Sequence, residues 1–434
     1  MEGPLLARIN SSSLRAAQTF VDALPVTVRR NMFTELWGTV LYGVFYAASV
    51  QFIPVVLRHM GASSEVLAFY TSLTYLGAIL TSFSIVLMRR RRTKTFAVVS
   101  WALGRSLFLL FAVITGVPWV LVLMAVFWFL ELFPSPAYTR IVQAIYPESV
   151  RGKAMSVVRM GMVVAIVCVT PLAGFALDHW GYQVLFPVAG LIGVAAVWYF
   201  NRLDVDEGIL PPRQTRTLGS LWGIVRRNRR FAIHLISFSV YGVGALLGFA
   251  LYPIVQVDRL QLSYTQIGLL GLAQSLAWLL AFLYWGRAVD RQGGLAVLRT
   301  NLAIGAIIPF AYLFATEGWM LLPAFIAQGI ISAGVDLGLI NTCIQLAEPD
   351  SVVDYAAVQS TVVGLRGMVA PFIGVALLNM GMSPTAIFAI GSVLILASWL
   401  IMGSVHLAPP TGEALAQQKR LRYRWPIRFR APRV

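Results

Sequence analysis

Four charged side chains lie near the middle of long apolar segments, where an ionisable group needs a particular reason to be present. Two are acids, Glu131 and Asp336, and two are bases, Arg105 and Arg366. A lone charge at the centre of a bilayer costs about 2.5–3.5 kcal/mol, so such residues pair, face water or serve a function. The four are therefore candidates for substrate binding and proton coupling. A fixed ion pair that joins two helices is the alternative interpretation.

Polar residues recur at helical spacing around both acids. In each case they follow steps of three or four residues, which places them on one face of a helix. One stripe consists of Trp128, Glu131, Ser135 and Tyr138, and the other of Gln328, Ser332 and Asp336. Each stripe predicts a polar helix face that looks toward protein or water and not toward lipid.

The depth of the charges suggests two pairs. Asp336 and Arg366 lie about equally far from the turn that their two neighbouring segments share, so they could meet across antiparallel helices. Glu131 and Arg105 are placed in a comparable way on an earlier pair of segments. Glu35 and the arginines at 140 and 159 lie nearer to segment ends, where a long side chain can reach the interface and a structural role is expected.

The elements that must position these residues are twelve apolar segments, each long enough to cross the hydrocarbon core as a helix. Hydrophobic residues make up 58% of the 434 positions and charged residues only 12%, which excludes a soluble enzyme. The predicted helices span 33–57, 65–88, 95–114, 118–146, 153–177, 182–202, 231–257, 264–288, 295–315, 319–346, 355–380 and 384–407. The sequence thus predicts an all-α integral membrane protein.

Basic residues are distributed unevenly between the loops. On one side of the predicted membrane the loops and both ends of the chain are rich in Lys and Arg, whereas the other side holds only Arg58 and Arg259. Because basic loops stay in the cytoplasm, both termini are predicted to be cytoplasmic. The net charge of +16 is explained by this asymmetry, and no nucleic-acid partner is expected.

The longest polar break divides six segments from six. We expect the following organisation: a cytoplasmic lead-in at 1–32, an N-terminal six-helix bundle at 33–202, a cytoplasmic linker at 203–230, a C-terminal six-helix bundle at 231–407, and a basic cytoplasmic tail at 408–434. An offset of about 200 residues lays Pro371 and Gly374 on Pro171 and Gly174, which moderately supports an internal duplication.

Other chemistry is not indicated. Cys168 and Cys343 each lie inside a predicted helix. Their spacing does not fit a metal site, and no extracellular disulfide is expected for either. The sequence shows no phosphate-binding loop and no nucleophile elbow. We therefore predict no enzymatic activity, no cofactor and no metal.

The segment GRAVDRQGG connects this pattern with a known family. Gly286, Asp290, Arg291 and Gly293 fit the G-x-x-x-D-R-x-G loop of the major facilitator superfamily, and YPESVRGKAMSVV and PLAGFALDHWGYQVLF also resemble that superfamily. The resemblance implies two pseudo-symmetric bundles of six helices. It also implies that Asp290 and Arg291 form a conformational latch, although a basic turn that only sets topology is the simpler reading.

The sequence also departs from the family pattern. The first-half counterpart of the latch reads MRRRRTK and lacks the glycine and the aspartate, so a latch there needs different partners. The segment VTPLAGF keeps only Pro171 and Gly174 of the pattern that proton-coupled drug exporters carry. The chain resembles a bacterial permease whose substrate is not assigned.

The same resemblance places helices 1, 4, 7 and 10 around a central cavity. Each candidate wall residue alone is more often a packing or interfacial residue, and the pattern over four helices carries the prediction. The predicted wall residues are Tyr42, Tyr46, Gln51, Trp128, Ser135, Tyr138, Tyr241, Gln328, Ser332 and Asn341.

These features predict a secondary active transporter that moves a small organic solute across the cytoplasmic membrane by alternating access, driven by an ion or proton gradient. A drug or metabolite efflux antiporter is one alternative, and a non-transporting sensor or scaffold of the same fold is another. An aromatic cavity suits an amphipathic solute, whereas an organic anion would fit if Arg140 and Arg159 faced the cavity. The expected partners of this inner-membrane monomer are the solute and the lipid bilayer.

Overall fold

The computed structural model describes residues 24–76, 93–205, 218–348 and 351–405, and these residues form helices without any strand. Eleven helices within them are long and apolar enough to cross a membrane. We number the crossing helices in chain order: α1 Val26–His59, α3 Thr93–Ala112, α4 Val117–Ile145, α5 Glu148–Trp180, α6 Tyr182–Asn201, α7 Arg229–Arg259, α8 Tyr264–Gln292, α9 Gly294–Phe314, α10 Gly318–Leu346, α11 Val352–Asn379 and α12 Pro384–Gly403.

The remaining crossing helix, α2, begins with Ser64–Leu73. The rest of the helix predicted over 65–88 falls largely on residues 77–92, which lie outside the described residues. With α2 the chain has the twelve-helix architecture that the hydropathy pattern predicts. The lead-in before residue 24 and the tail after residue 405 also lie outside the described residues.

A proline marks the break in α4. α4 is interrupted after Leu132 at Pro134, and it resumes as Ser135–Ile145. Proline removes a backbone donor and clashes with the preceding turn, so a break at this point is expected. In α5 and α11, by contrast, Pro171 and Pro371 lie inside continuous helices.

The helices pack into two groups. In the first, α1 packs between α5 and α6; in the second, α7 packs against α11 and α12, and α10 packs against α8 and α9. Between the groups, α5 packs against α8, and α2 packs against α11. Glycine allows α1 and α5 to pack closely, because a Cβ on Gly43 of α1 would lie only 2.7 Å from the carbonyl oxygen of Met162 on α5.

The two ends of the molecule can be defined by their contacts. Asn31 near the start of α1 bonds Asp204 after α6, and Asn228 before α7 bonds the carbonyl of Leu346 at the end of α10. We call this end, where the chain enters α1 and leaves α12, the termini face. The other end, where α1 and α7 finish, is the opposite face.

The start of α1 and the predicted linker differ from the sequence prediction. α1 begins at Val26 and not at 33, because the segment after Pro25 continues directly into the apolar helix. The predicted linker contains a further short helix, Leu218–Arg227, whose last turn carries two basic residues, Arg226 and Arg227. The division into lead-in, bundles, linker and tail stays a prediction.

Candidate functional site

A cavity of about 550 Å³ lies between the two groups of helices. Residues from α1, α2, α4 and α5 form one side, and residues from α7, α8, α9 and α10 form the other. Its volume lies within the range of sites for small organic ligands. The cavity is therefore the candidate binding site of the protein.

The walls of the cavity are aromatic and amide-bearing. Among the described lining residues none is charged, so a ligand meets rings, hydroxyls and carboxamides. The aromatic lining residues are Tyr42, Tyr46, Phe52, Tyr70, Tyr75, Trp128, Phe249, Tyr252, Trp278, Tyr312 and Phe325. The polar ones are Gln51, Thr71, Thr74, Gln256, Gln274, Ser275, Gln328 and Ser332.

Several predicted wall residues are in this lining, and others are not. Tyr42, Tyr46, Gln51, Trp128, Gln328 and Ser332 line the cavity. Of the rest, Ser135 is exposed on α4, and Tyr138 donates a hydrogen bond to Glu35 Oε1 at 2.7 Å. Tyr241 packs against Gly305 of α9, and Asn341 packs against Gly294. Helical periodicity identifies the face of a helix that looks inward, but it does not show how far along the helix the cavity extends. This is why the prediction failed for these four residues.

Glu131 and Arg105 form a buried ion pair directly behind the cavity wall. Arg105 Nη2 lies 2.9 Å from Glu131 Oε1, Arg105 Nε lies 3.2 Å from Oε2, and the two side chains are only 7% and 9% exposed. The guanidinium carbon lies 4.5 Å from the ring centroid of Tyr42, a wall residue. A bidentate, shielded pair of this kind holds α3 to α4 and orients Tyr42.

Asp336 does not pair with Arg366, in contrast to the sequence prediction. Its carboxylate lies 3.8 Å from Arg159 on α5, so the contact connects the two helix groups. The side chains of Arg159 and Asp336 are 56% and 47% exposed, which marks the gap between the groups as open on this side. Equal depth along two helices does not determine which way each helix faces, and this is why the predicted pairing was wrong.

Arg366 faces α7 instead. Its guanidinium carbon lies 4.2 Å from the ring centroid of Phe238, and the side chain packs against Gly242. Nε and Nη1 are shielded and have no hydrogen-bond partner among the described residues.

The arginines at 140 and 159 are not cavity residues. Arg140 donates a hydrogen bond to Thr93 Oγ1 at 3.3 Å, and neither arginine is among the lining residues. The two arginines therefore do not give the cavity a positive charge in this state, and they do not favour an organic anion as the solute.

Glu35 was expected to reach the interface, but it is buried. Its side chain accepts hydrogen bonds from the hydroxyls of Tyr138 on α4 and of Tyr146 directly after α4, and the residue is 1% exposed. The tyrosines hold α1 against the end of α4 near the termini face. Tyr138 belongs to the polar face of α4 that the sequence indicated, whereas Tyr146 had no such signal.

The opposite face is closed by polar contacts between the helix groups, which sequence reasoning did not identify. Arg58 at the end of α1 bonds Asp258 at the end of α7 through Nε, at 3.0 Å from each carboxylate oxygen. Asp178 at the end of α5 accepts hydrogen bonds from the backbone N–H groups of Tyr264 and Thr265, at 3.0 and 2.7 Å. These contacts separate the cavity from the opposite face.

A third link and close helix packing complete this closure. Asn379 at the end of α11 donates a hydrogen bond to Glu65 Oε1 at 2.8 Å at the start of α2. Gly174 of α5 packs against the backbone of Tyr264 and Gly268 on α8.

The family model of the Major Facilitator Superfamily matches residues 36–257, more than half of the chain. The chain belongs to the major facilitator superfamily. Membership identifies it as a multi-pass membrane protein of a transporter family and points to transport and not to catalysis. No curated protein matches the sequence.

Solved structures share the fold of this superfamily member at low sequence identity. A mutant of the nucleoside transporter NupG matches with a TM-score of 0.66 and 11% identity, covering 87% of this chain and 99% of that chain. A bacterial homolog of the human lysosomal transporter Spinster, in an inward-facing and unoccupied conformation, matches with a TM-score of 0.60 and 13% identity, covering 94% of this chain and 100% of that chain.

The loop that carries the superfamily motif lies at the end of α8. Asp290 and Arg291 are both exposed, and the motif's last glycine, Gly293, has a φ of 85° in the left-handed region that favours glycine. A Cβ on Gly286 would meet open space. The first-half counterpart at 89–92 lies outside the described residues, so the latch role stays a prediction.

Proposed function

We propose that this protein is a secondary transporter that carries a small organic solute through the cavity between its bundles at 33–202 and 231–407, acting as a monomer in the inner membrane. The observation that supports this most directly is a ligand-sized cavity with walls from both bundles and a closed opposite face. Such a midplane site between two pseudo-symmetric halves is what alternating access requires.

The direction in which the cavity opens follows from the charge asymmetry. The positive-inside rule assigns the termini face to the cytoplasm, so the contacts around Arg58 and Asp258 would close the outer side. The half-exposed pair of Arg159 and Asp336 would then lie on the inner side. Turnover requires the outer contacts to break and the inner gap to close.

The solute is a small molecule with an aromatic or apolar body and a few polar groups. Aromatic and aliphatic side chains together supply most of the wall, and the carboxamides of Gln51, Gln256 and Gln328 supply hydrogen bonds that fix its orientation. Such a wall favours stacking and dispersion contacts over charge pairing. The superfamily fold alone does not select the solute.

Asp336 is the proposed coupling residue. Its ion pair with Arg159 joins the bundles, is loose at 3.8 Å and is accessible, so protonation of the carboxylate would release one bundle from the other. Glu131 is the weaker candidate, because its bidentate pair with Arg105 is buried within one bundle. Its better-supported role is structural.

The experiment that tests this proposal uses purified protein in proteoliposomes. A thermal-shift screen of a solute library first identifies binders, since a ligand that binds only the folded protein raises its melting temperature. Transport of the strongest binder is then measured as gradient-driven accumulation and as exchange. Asp336→Asn should abolish accumulation and preserve exchange, whereas Asp204→Asn, which removes an exposed ion pair with Arg30 at the termini face, should preserve both. Unchanged accumulation in Asp336→Asn would remove it from the coupling role.

Two alternatives use the same cavity. An efflux antiporter would move the solute outward against a proton gradient, and the direction of accumulation in oriented vesicles distinguishes it from an uptake system. A sensor would bind the solute with the same residues but never move it across the vesicle membrane.

A further inference from the structure

Arg366 lies behind the cavity-lining Tyr75 and has no ion-pair partner among the residues that the structure describes. We propose that its guanidinium binds the carboxylate of the transported solute, so that the substrate is an organic anion with an aromatic or apolar body. This inference rests on the proposed transport function and specifies its substrate class.

The side chain has unused hydrogen-bonding capacity. Arg366 Nε and Nη1 are shielded and lack a hydrogen-bond partner within the described part of the chain. The contact that holds the guanidinium is the face of the Phe238 ring, at 4.2 Å. An arginine does not lose its proton inside a protein, so the charge cannot be avoided by deprotonation. Nε–H and Nη1–H point in different directions, so each is a separate free donor that can bind a carboxylate oxygen.

Three acids inside the described crossing helices are already engaged. Glu131 is paired with Arg105, and Asp336 is paired with Arg159. The third, Glu35, accepts hydrogen bonds from two tyrosine hydroxyls. An anion supplied by a ligand would therefore provide what these carboxylates do not.

Tyr75 separates Arg366 from the cavity. Its ring lines the cavity and packs against Gly367 of α11, the residue next to Arg366. Tyr75 belongs to α2 in the first bundle, whereas Arg366 belongs to the second. When the bundles move against each other, the ring is withdrawn from α11 and the guanidinium becomes accessible from the cavity.

The rest of the site selects the body of the ligand. The lining is aromatic and uncharged, so Arg366 would supply the positive charge within reach of a bound solute. A single guanidinium neutralises one negative charge, which fits a monocarboxylate better than a phosphate monoester with its larger charge.

The test measures thermal unfolding of the purified full-length protein with matched probes. The probes are a panel of aromatic monocarboxylates, the corresponding neutral amides, and the corresponding phosphate monoesters. The variants are Arg366→Gln, Arg366→Lys and the control Arg140→Gln, which removes another helix arginine that does not line the cavity.

We expect at least one carboxylate to stabilise the wild type more than its amide and its phosphate. Arg366→Gln should lose this preference, with affinity for the carboxylate reduced about tenfold or more, because a charge-assisted contact is lost. Arg366→Lys should keep part of it, and Arg140→Gln should keep all of it. Amides that bind as well as carboxylates, a panel without any stabilising carboxylate, or an unchanged preference in Arg366→Gln would each overturn the proposal. A preference for the phosphates would replace the carboxylate with a phosphate ligand and overturn it as well.

A ligand-free measurement guards against a variant that merely misfolds. Because no described side chain supplies a counter-charge to Arg366, Arg366→Gln should melt at the wild-type temperature or above it, whereas Arg105→Gln should melt clearly lower. An equal loss in both variants would mean that Arg366 is structural and would contradict the proposal.

This outcome can be separated from the failure of the transport function. Carboxylate binding that depends on Arg366, without any movement across vesicles, would refute transport but support the anion site. Transport of a neutral solute at the wild-type rate by Arg366→Gln would support the transport function and refute the anion site.

Discussion

The guanidinium of Arg58 and the carboxylate of Asp258 bond each other at the opposite face, and the two residues are 200 positions apart in the chain. This is the offset that lays Pro371 on Pro171 in the predicted internal duplication. Equivalent positions of two repeated halves meet each other only on their pseudo-twofold axis. The closure of the cavity is therefore built on the symmetry axis of the molecule.

The flanking contacts follow the same symmetry. The link from Glu65 at the start of α2 to Asn379 at the end of α11 corresponds to the link from Thr265 at the start of α8 to Asp178 at the end of α5. Each pairs the beginning of one helix with the end of a helix in the other bundle. The ion pair of Arg58 and Asp258 and these two hydrogen-bonded contacts beside it connect the two bundles at the opposite face.

Removal of the ion pair between Arg58 and Asp258 should open the cavity toward the opposite face. In a cysteine-free background, a reporter Ser275→Cys lies in the cavity wall and reacts with a membrane-impermeant maleimide only when that path is open. Arg58→Gln should raise the labelling rate from that face a few-fold, because a partly exposed ion pair contributes about 1 kcal/mol or less. The matched control is Arg259→Gln, whose side chain bonds the carbonyls of Tyr312 and Ala315 within its own bundle. Equal labelling in both variants would show that the ion pair does not contribute to closure.

The contact of α5 with α8 makes a steric prediction. A Cβ on Gly174 would collide with the backbone carbonyl of Tyr264, which cannot move aside as a flexible side chain could. Gly174→Ala should therefore disfavour the closed opposite face and lower the maximal transport rate. Gly152→Ala, on the same helix but with open space around its Cβ, should leave both unchanged. Initial rates in proteoliposomes measure the effect, and normal transport by Gly174→Ala would mean that this contact is not needed for turnover.

The buried pair of Arg105 and Glu131 should behave as a coupled unit. Removal of one partner leaves an uncompensated shielded charge, so Arg105→Met and Glu131→Gln should each lower stability by about 3–5 kcal/mol. The double variant should be less destabilised than the two single effects predict together. Thermal unfolding of the purified wild type, the two single variants and the double variant supplies the stabilities for this double-mutant cycle. Additive losses would show that the two side chains do not stabilise each other.

Trp128 should contribute directly to solute binding. Its ring lines the cavity, and loss of such a contact surface costs about 1.5–3 kcal/mol, so Trp128→Leu should raise KM about tenfold or more. The neighbouring Phe129 is exposed on the other side of α4, and Phe129→Leu provides the control. The comparison requires equal amounts of folded protein in the vesicles. A similar KM in both variants would place the solute elsewhere.

The fold could be predicted from the sequence because a bilayer imposes simple length and polarity rules on each helix. Apolar runs with basic loops on one side define twelve crossings, and the motif around Asp290 and Arg291 defines the superfamily. Wall residues on α4 and α10, such as Trp128 and Gln328, could be found from helical periodicity, whereas Tyr42 on α1 was predicted from the resemblance that places this helix at the cavity.

The pairing of charges could not be predicted in the same way. Residue counting determines how deep Asp336 and Arg366 lie, but rotation of each helix about its axis depends on packing against all of its neighbours. In the structure Asp336 reaches Arg159 across the bundles, and Arg366 turns to Phe238. The repeat offset was a usable signal for Asp258, since it places this residue opposite Arg58.

Alternating access is tested most directly by distances measured at both faces of one preparation. Spin labels at residues 115 and 316 report the opposite face, and labels at 152 and 292 report the termini face, each pair spanning the two bundles in a cysteine-free protein in nanodiscs. Addition of a solute found by the thermal-shift screen should lengthen the first distance and shorten the second in a fraction of the molecules. Two unchanged distances under saturating solute would contradict a transporter in which two bundles move around this cavity.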